Sequence, residues 1–479
     1  MAMISSENII GSPDRAGFRV FWTAFDPLDL ASGSIDPMGF LRGYLALVDR
    51  LLPGLTTVTT VPRYASMICA AAFVAAGEIP TRDDLRGAKL RRERIVLMKA
   101  YERAWALACG LASRDEKIGP AALKDVRGVR YVNRKLDVIA PNTKYVKSGS
   151  FNLLSNQLRY GGIGIYSAFL DSCHLLTSED LSLRPVGERL AAAFPAPPPY
   201  VAAHDEEAPL SIDALTAWGA KAHPGAITPS EARWLAEGLE GGGESDWDDN
   251  VRWSMLKLLA AHATEEAHPS ETDALKAVLA SLSNGGAGAK LVPPKCADQI
   301  RAILTVVEPY ERLYQSVLFL FQAIQAAATD EPEISITKVG GANSTTAAVA
   351  ACAKASRMLP AALNRAAEIH GESIGPLGDA LRGSGVTGLA EQLVLATNPE
   401  QVLDIVLTRH EAVQGGKFDD GVRKASWLKR LTSGKLRLSA QRFRLGVNMR
   451  PQKWSDVGRH PYRTAAAFAF IRACGDRIQ

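Results

Sequence analysis

Cations and aromatic rings interleave near the C-terminus, and these residue types could together bind a phosphate chain. Residues 415–479 contain fifteen Lys and Arg against four Asp, a net charge of +11. The whole chain carries only +4, so the residues before this tail carry −7. Lys and Arg contact phosphates and exposed rings stack on bases, so the tail is predicted to bind nucleic acid. The predicted contacts are Arg423, Lys424, Lys429, Arg430, Arg442, Arg444, Arg450, Lys453, Arg459 and Arg463.

Two alternatives for the tail stay open. Its rings, among them Trp427, Phe443 and Trp454, could anchor a hydrophobic core while the cations pair with the acidic remainder of the chain. The tail could also dock onto an acidic partner protein. Apolar residues recur through the tail, which indicates that it is folded, and residues 464–474 are apolar enough to form a buried final helix.

A second basic segment lies between residues 124 and 159, where eight Lys and Arg against two Asp give a net charge of +6. The phosphate contacts predicted there are Arg130, Arg134, Lys135, Lys144 and Lys147. The surrounding pattern predicts helices over 121–136, 151–160 and 163–173, a small hairpin over 174–183 and a helix over 185–194. Helices followed by a two-stranded wing and a closing helix indicate a winged-helix-like module.

The helix predicted over 163–173 would be the recognition helix of such a module, the element that enters a major groove. It offers Tyr166, Ser167 and Asp171 but no Arg, Asn or Gln. Because these are poor base-reading side chains, we do not expect sequence-specific recognition from this helix. Binding of a protein through the module stays an open alternative.

For the other residues that could bind a metal or catalyse a reaction, the surrounding sequence favours a structural role. Asp246, Asp248 and Asp249 could bind a divalent cation, but acids beside a Gly-rich loop are typical of a helix N-terminus. His460 could act as an acid or base, although Asp456 is the only carboxylate near it in sequence. The six cysteines are scattered among apolar neighbours without a CxxC pair, which favours small buried hydrophobes over a zinc site. No catalytic residue, metal site or cofactor is predicted.

The elements that must position these residues are predicted to be mainly α-helical. The chain is 47% hydrophobic and 22% charged, is rich in Ala, and at 479 residues exceeds one hydrophobic core. The predicted domains are an N-terminal helical domain (1–117), the winged-helix-like module (118–195), a linker (196–210), a helical domain (211–414) and the basic C-terminal region (415–479). The longest apolar stretch, 64–76, is too short to cross a bilayer, and no secretory signal is visible, so we expect a cytoplasmic protein without a membrane partner.

The stretch 51–64 reads Leu-Leu-Pro-Gly-Leu-Thr-Thr-Val-Thr-Thr-Val-Pro-Arg-Tyr. It resembles the opening of uncharacterised bacterial proteins found in anti-phage defence islands, where a Pro-Gly element, Thr residues and an Arg-Tyr pair precede an apolar helix. Residues 160–194 are similar to the winged-helix-like passage of those proteins, and Leu181-Ser-Leu-Arg-Pro-Val-Gly-Glu-Arg-Leu190 resembles a wing-to-helix passage. The resemblance implies defence against foreign DNA within a multi-protein system, and it implies no particular reaction.

These observations predict a non-catalytic protein that binds DNA, or bridges DNA to effector subunits, in a bacterial anti-phage defence system. The expected partners are nucleic acid, DNA in the first place, and other defence-system subunits. Two other classes stay open: a nuclease or base-modifying enzyme without a recognisable motif, and a scaffold that binds only proteins.

Overall fold

The computed structural model describes residues 36–80, 85–140, 142–147, 152–201, 208–243, 246–268, 270–283, 286–331, 333–341, 343–419, 422–440, 444–446 and 450–478. A strand that the sequence favours over 16–25 lies outside these residues, as do Arg442 and Phe443. The structure is mainly helical, which confirms this part of the predicted fold class. Within the described ranges, each helix is either too short or too polar to span a bilayer.

The helices of the first half are α1 (Leu41–Leu51), α2 (Arg63–Glu78), α3 (Gly87–Ala112), α4 (Val129–Asp137), α5 (Gln157–Tyr160), α6 (Gly162–Ser172), α7 (Pro185–Ala193), α8 (Ile212–Ala222) and α9 (Pro229–Leu239). Those of the second half are α10 (Trp247–His262), α11 (Glu271–Leu282), α12 (Pro294–Asp330), α13 (Ile336–Gly340), α14 (Asn343–Gly383), α15 (Val386–Leu395), α16 (Pro399–Gly415) and α17 (Thr464–Cys474). Short 3-10 turns cover Pro120–Leu123, Ala287–Lys290, Trp454–Asp456 and Gly475–Arg477.

Three small antiparallel sheets join segments that are distant in sequence. The strands are β1 (Tyr145–Lys147), β2 (Pro209–Ser211), β3 (Ile334–Ser335), β4 (Phe418–Asp419), β5 (Val422–Arg423), β6 (Leu428–Arg430) and β7 (Lys435–Leu438). β1 pairs with β2, β4 with β5, and the third sheet has the order β3-β7-β6. Ile334 lies opposite Leu436 in that sheet, so the basic tail is folded against the end of α12.

Two long helices are buried on most of their faces and organise the packing. α3 packs along α8, where a Cβ on Gly219 would lie 2.1 Å from the carbonyl oxygen of Ala108, so only glycine permits this approach. α12 packs along α14 in the same way. α14 is kinked at His370, where the backbone is not helical, and its two segments continue through Pro360 and Pro376. Packing along α12 outweighs the backbone hydrogen bonds that the two prolines remove.

The segment over 118–195 differs locally from its predicted elements. The helix expected over 121–136 is divided into a 3-10 turn and α4, because Asp125 and Gly128 both have positive φ angles. α5 forms only the last turn of the helix expected over 151–160, and the expected hairpin is reduced to one bridge between Leu176 and Leu183. α6 and α7 match their predicted positions within one residue.

Buried apolar side chains from Met38 to Ile478 form one connected cluster. The cluster draws on segments on both sides of each predicted domain boundary, and the boundaries themselves stay predictions. All six cysteines lie buried as free thiols, as the sequence predicted. Burial raises the pKa of Cys173 to about 11 and that of Cys474 to about 12, so these thiols stay protonated and act as apolar groups.

Candidate nucleic-acid interface

Four of the predicted tail cations form ion pairs with carboxylates that precede the tail. The guanidinium of Arg450 donates two hydrogen bonds of 2.8 Å to the two carboxylate oxygens of Asp330. These bonds hold the pKa of Asp330 below its ordinary value. The pairs of these four cations are Arg430 with Asp404 and Glu411, Arg450 with Asp330, Arg459 with Glu308, and Arg463 with Asp49. The acidic remainder of the chain therefore neutralises part of the charge of the tail.

Other tail cations stay on the surface. Arg423, Lys429, Arg444 and Lys453 are exposed, and Lys424 is half-buried. The guanidinium of Arg423 lies 5.8 Å from the centre of the Phe418 ring, and Lys453 Nζ is 4.0 Å from a carboxylate oxygen of Asp456.

Most of the described aromatic residues of the tail pack against the rest of the protein, whereas Phe418 is 46% exposed. Trp427 donates its backbone N–H to His410 at 2.9 Å, and its ring lies 5.9 Å from that of Phe321. Tyr462 is fully buried and donates its hydroxyl to Glu311. Arg312 covers the ring of Trp454 at 5.4 Å. These contacts match the alternative in which the rings anchor a core, and they leave Tyr462 unable to stack on a base.

The second basic segment has a different environment, because α4 lies on the surface of α3. Val132 and Leu136 are its buried residues, and both would meet a Cβ placed on Gly110 of α3. The other faces of α4 are open to solvent and carry Arg130, Arg134 and Tyr131. Arg134 places its guanidinium 5.6 Å from the centre of the Tyr131 ring, which itself is 37% exposed.

The elements α5 and β1 carry further cations and exposed rings. Gly128, just before α4, lies against Leu153, where a Cβ would be 2.4 Å from the carbonyl oxygen, so the chain leading to α5 runs beside the start of α4. Tyr160 at the end of α5 is 41% exposed, with the guanidinium of Arg159 5.4 Å from its ring centre. Tyr145 on β1 is 60% exposed. We define the basic–aromatic surface as Arg130, Tyr131, Arg134, Lys135, Lys144, Tyr145, Lys147, Arg159 and Tyr160.

The three tyrosines of this surface were missed by the sequence analysis, although a signal for them exists. Each directly follows a cation, in the dipeptides Arg130-Tyr131, Lys144-Tyr145 and Arg159-Tyr160. The dipeptides alone do not separate an exposed ring from a buried one: Arg63-Tyr64 has the same form, yet Arg63 and Tyr64 are both buried. Exposure is therefore the observation that distinguishes the basic–aromatic surface.

The predicted recognition helix, α6, is packed against the rest of the protein. Tyr166 is fully buried and donates its hydroxyl to the carbonyl oxygen of Val61 at 2.8 Å. At the start of α6, Gly162 donates its N–H to the carboxylate of Glu102 at 2.6 Å. Glu102 is itself buried, and burial raises its pKa. This buried carboxylate occupies the helix N-terminus, where a phosphate would otherwise bind.

The predicted wing exposes only Ser178 and Glu179 of its polar tip. Leu181, directly after the tip, is 1% exposed. The buried Arg94 of α3 donates to the carbonyl oxygen of Asp180 at 3.2 Å and to the hydroxyl of Ser182 at 2.9 Å. The end of the turn is therefore held against α3.

The acidic residues near α10 form a structural network. Asp246 caps α10, and Asp249 completes a capping box, as the N-terminus interpretation predicted. His174, Asp246 and Asp249 place possible metal ligands within 4.8 Å of one another. However, Arg252 pairs with Asp249, and a guanidinium nitrogen of Arg184 lies 2.8 Å from Nδ1 of His174. Two adjacent guanidinium groups disfavour a divalent cation, so we assign this cluster to helix capping.

His460 has a carboxylate partner that the sequence did not indicate. Its Nδ1 lies 2.8 Å from Glu311, a fully buried residue of α12 that is 149 positions away. The imidazole stacks on Tyr44 and contacts Tyr314. Tyr314 also lines a cavity of about 380 Å³ together with Arg450, Arg459 and Asp456, whereas His460 is not among its lining residues. The pair therefore joins the tail to α12 and does not face this cavity.

Comparisons of the chain with protein-family models, curated proteins and solved structures found no match.

Proposed function

We propose that this protein binds nucleic acid, DNA in the first place, through the basic–aromatic surface and performs no catalysis itself. The observation that carries the proposal is the joint exposure of cations and tyrosine rings among the described residues between 130 and 160. Phosphates require cations and bases offer flat faces for rings, so both halves of a nucleotide find a suitable contact among these residues.

Charge supports this choice of surface over the tail. Residues 124–159 carry a net charge of +6. In the tail, Arg430, Arg450, Arg459 and Arg463 already contact carboxylates. Ion pairs within the chain weaken the field that a polyanion would meet, so these four arginines attract a polyanion less than their charge alone would indicate.

The wider role in the proposal comes from the resemblance of residues 51–64 to the defence-island proteins. We propose that the chain is a DNA-binding or bridging subunit of a bacterial anti-phage system. The proposal keeps the winged-helix interpretation of residues 118–195 only for the order of its elements along the chain. The residues proposed to contact nucleic acid belong to α4, α5 and β1, and not to the predicted recognition helix or wing.

A salt titration with two matched charge-reversal variants tests the surface. One variant combines Arg130→Glu, Arg134→Glu and Lys144→Glu, and the control combines Arg423→Glu, Lys429→Glu and Lys453→Glu. Both triplets replace exposed cations and change the net charge equally. We expect the first variant to bind DNA roughly a hundredfold more weakly at about 0.1 M salt, with the slope of log affinity against log salt reduced by about three.

The control variant should keep an affinity within about threefold of the parent protein, because it lacks changes at the phosphate contacts. Loss of DNA binding in the control alone would assign the function to the tail and refute the surface proposed here. Circular dichroism of both variants should match that of the parent protein, since all six positions are exposed.

A further inference from the structure

We infer that the basic–aromatic surface takes single-stranded rather than duplex nucleic acid. This inference rests on the proposed function and specifies its ligand. It follows from two observations: the elements that would enter a duplex groove are blocked, and three rings suited to unpaired bases are open to solvent.

Entry of α6 into a major groove is blocked by contacts along the helix. Its N-terminus is capped by the buried carboxylate of Glu102, so phosphate binding there would oppose a negative charge. Of its polar residues, Tyr166 is fully buried and Asp171 lies 3.7 Å from Arg184. The fully exposed positions of α6 are Gly164 and Ala168, which offer no hydrogen-bonding side chain to a base edge.

A wing contact with a minor groove is also disfavoured. The exposed residues of the turn are Ser178 and Glu179, and the carboxylate of Glu179 would repel a phosphate. Leu181 beside the turn is buried, and the carbonyl oxygen of Asp180 accepts a hydrogen bond from the buried Arg94. Thr177, Asp180 and Ser182 are hydrogen-bonded to one another within the turn. If the turn moved away from α3 to reach DNA, Leu181 would become exposed and the buried Arg94 would lose its hydrogen bonds to Asp180 and Ser182. This cost disfavours docking through the wing.

Unpaired bases match the basic–aromatic surface better than a duplex does. In a duplex the base faces are stacked on one another, so rings on a protein surface reach only the backbone and groove edges. In a single strand the faces are free, and each can stack on an exposed ring whatever its sequence. Tyr131, Tyr145 and Tyr160 lie on α4, β1 and α5, and each directly follows a cation in the sequence.

The test compares one oligonucleotide as a single strand and as its blunt duplex, by fluorescence anisotropy at about 0.1 M salt. Replacement of Tyr145 and Tyr160 by Ala should weaken single-strand binding roughly fivefold to a hundredfold per ring, while Tyr→Phe at both positions should keep it. Tyr200→Ala is the control, because Tyr200 is 67% exposed but lies outside the surface. Duplex affinity should be weaker and should change little in the Tyr→Ala variant.

Equal or tighter binding of the duplex would overturn the inference while leaving the proposed function intact. An unchanged single-strand affinity in the Tyr→Ala variant would also overturn it. Failure of both ligands to bind would overturn the proposed function itself. As a second measurement, photo-crosslinking of a bromouracil-substituted single strand should label peptides within residues 129–160, and labels confined to the tail would contradict the assignment.

Discussion

We expect mild acid to weaken the fold through His410, an imidazole buried between three segments of the chain. Its Nδ1 lies 2.9 Å from the carbonyl oxygen of Pro37, and its Nε2 lies 2.9 Å from the backbone nitrogen of Trp427. A peptide N–H only donates, so Nε2 is the unprotonated nitrogen and Nδ1 carries the hydrogen. The neutral ring therefore satisfies both neighbours, whereas a proton on Nε2 would oppose the N–H of Trp427.

The size of the effect follows from the pKa of His410. Burial, together with the nearby charge of Lys417, lowers this pKa from 6.5 to about 4, against the opposing effect of the Pro37 carbonyl. The unfolded chain takes up this proton below about pH 6.5, but the folded protein resists it until about pH 4. Stability from the neutral ring is therefore fully present above the unfolded pKa and is lost as pH falls. The loss is about 2 kcal/mol at about pH 5 and approaches about 3 kcal/mol at lower pH.

Urea unfolding of the parent protein and of His410→Gln at about pH 7.5 and about pH 5 isolates this contribution. Glutamine can donate to Pro37 and accept from Trp427 but does not titrate. The remaining titratable groups are the same in both proteins. The free energy of unfolding of the parent should therefore fall by about 2 kcal/mol more than that of the variant between the two pH values. An equal pH dependence in the two proteins would show that His410 is not the group responsible.

Two further predictions concern buried charges in the first half of the chain. Glu231→Ala should cost about 3–5 kcal/mol, because it leaves the buried Arg63 unpaired. The double variant Arg63→Met/Glu231→Gln removes both charges and should unfold at a higher temperature than the single variant; a lower temperature would contradict this. Glu102→Ala leaves the hydrogen-bond donors of Gly162 and Gln157 without an acceptor and should lower the free energy of unfolding by about 1–3 kcal/mol for each donor. Glu102→Gln keeps an acceptor and should lower it by less, as measured by urea unfolding. Equal losses in the two variants would contradict the capping role.

Much of the helical fold could be predicted from the sequence, because apolar periodicity and helix-ending residues act locally. The predicted helix over 464–474 corresponds to α17, and the helices predicted over 163–173 and 185–194 correspond to α6 and α7 with shifts of one residue. The prediction of a single helix over 121–136 was wrong. The residue pattern there is compatible with a helix, but Asp125 and Gly128 adopt positive φ angles, which interrupt it. Whether a residue takes that conformation depends on its tertiary contacts, here the approach of Leu153 to Gly128.

The candidate site was harder to predict, because charge composition does not reveal which cations have partners. Arg450 and Asp330 are 120 positions apart, and Arg463 meets Asp49 across most of the chain. No sequence window contains both members of such a pair. Exposure of the tyrosines is equally non-local, since Arg63-Tyr64 and Arg159-Tyr160 look alike in sequence but have opposite environments.

The contacts of the tail give its charge a structural explanation. Tyr44 of α1 donates its hydroxyl to the carbonyl oxygen of Pro461, Arg463 pairs with Asp49 of the same helix, and Glu311 of α12 accepts from Tyr462. The residues before the tail carry a net negative charge and the tail a net positive one. These opposite charges attract over longer distances than apolar contacts do, so they favour docking of the tail during folding. Once docked, the tail retains only part of its field. A polyanion approaching the folded protein then meets the exposed cations and tyrosine rings of the basic–aromatic surface, which is why charge reversal at Arg130, Arg134 and Lys144 should matter more than the same change at exposed positions of the tail.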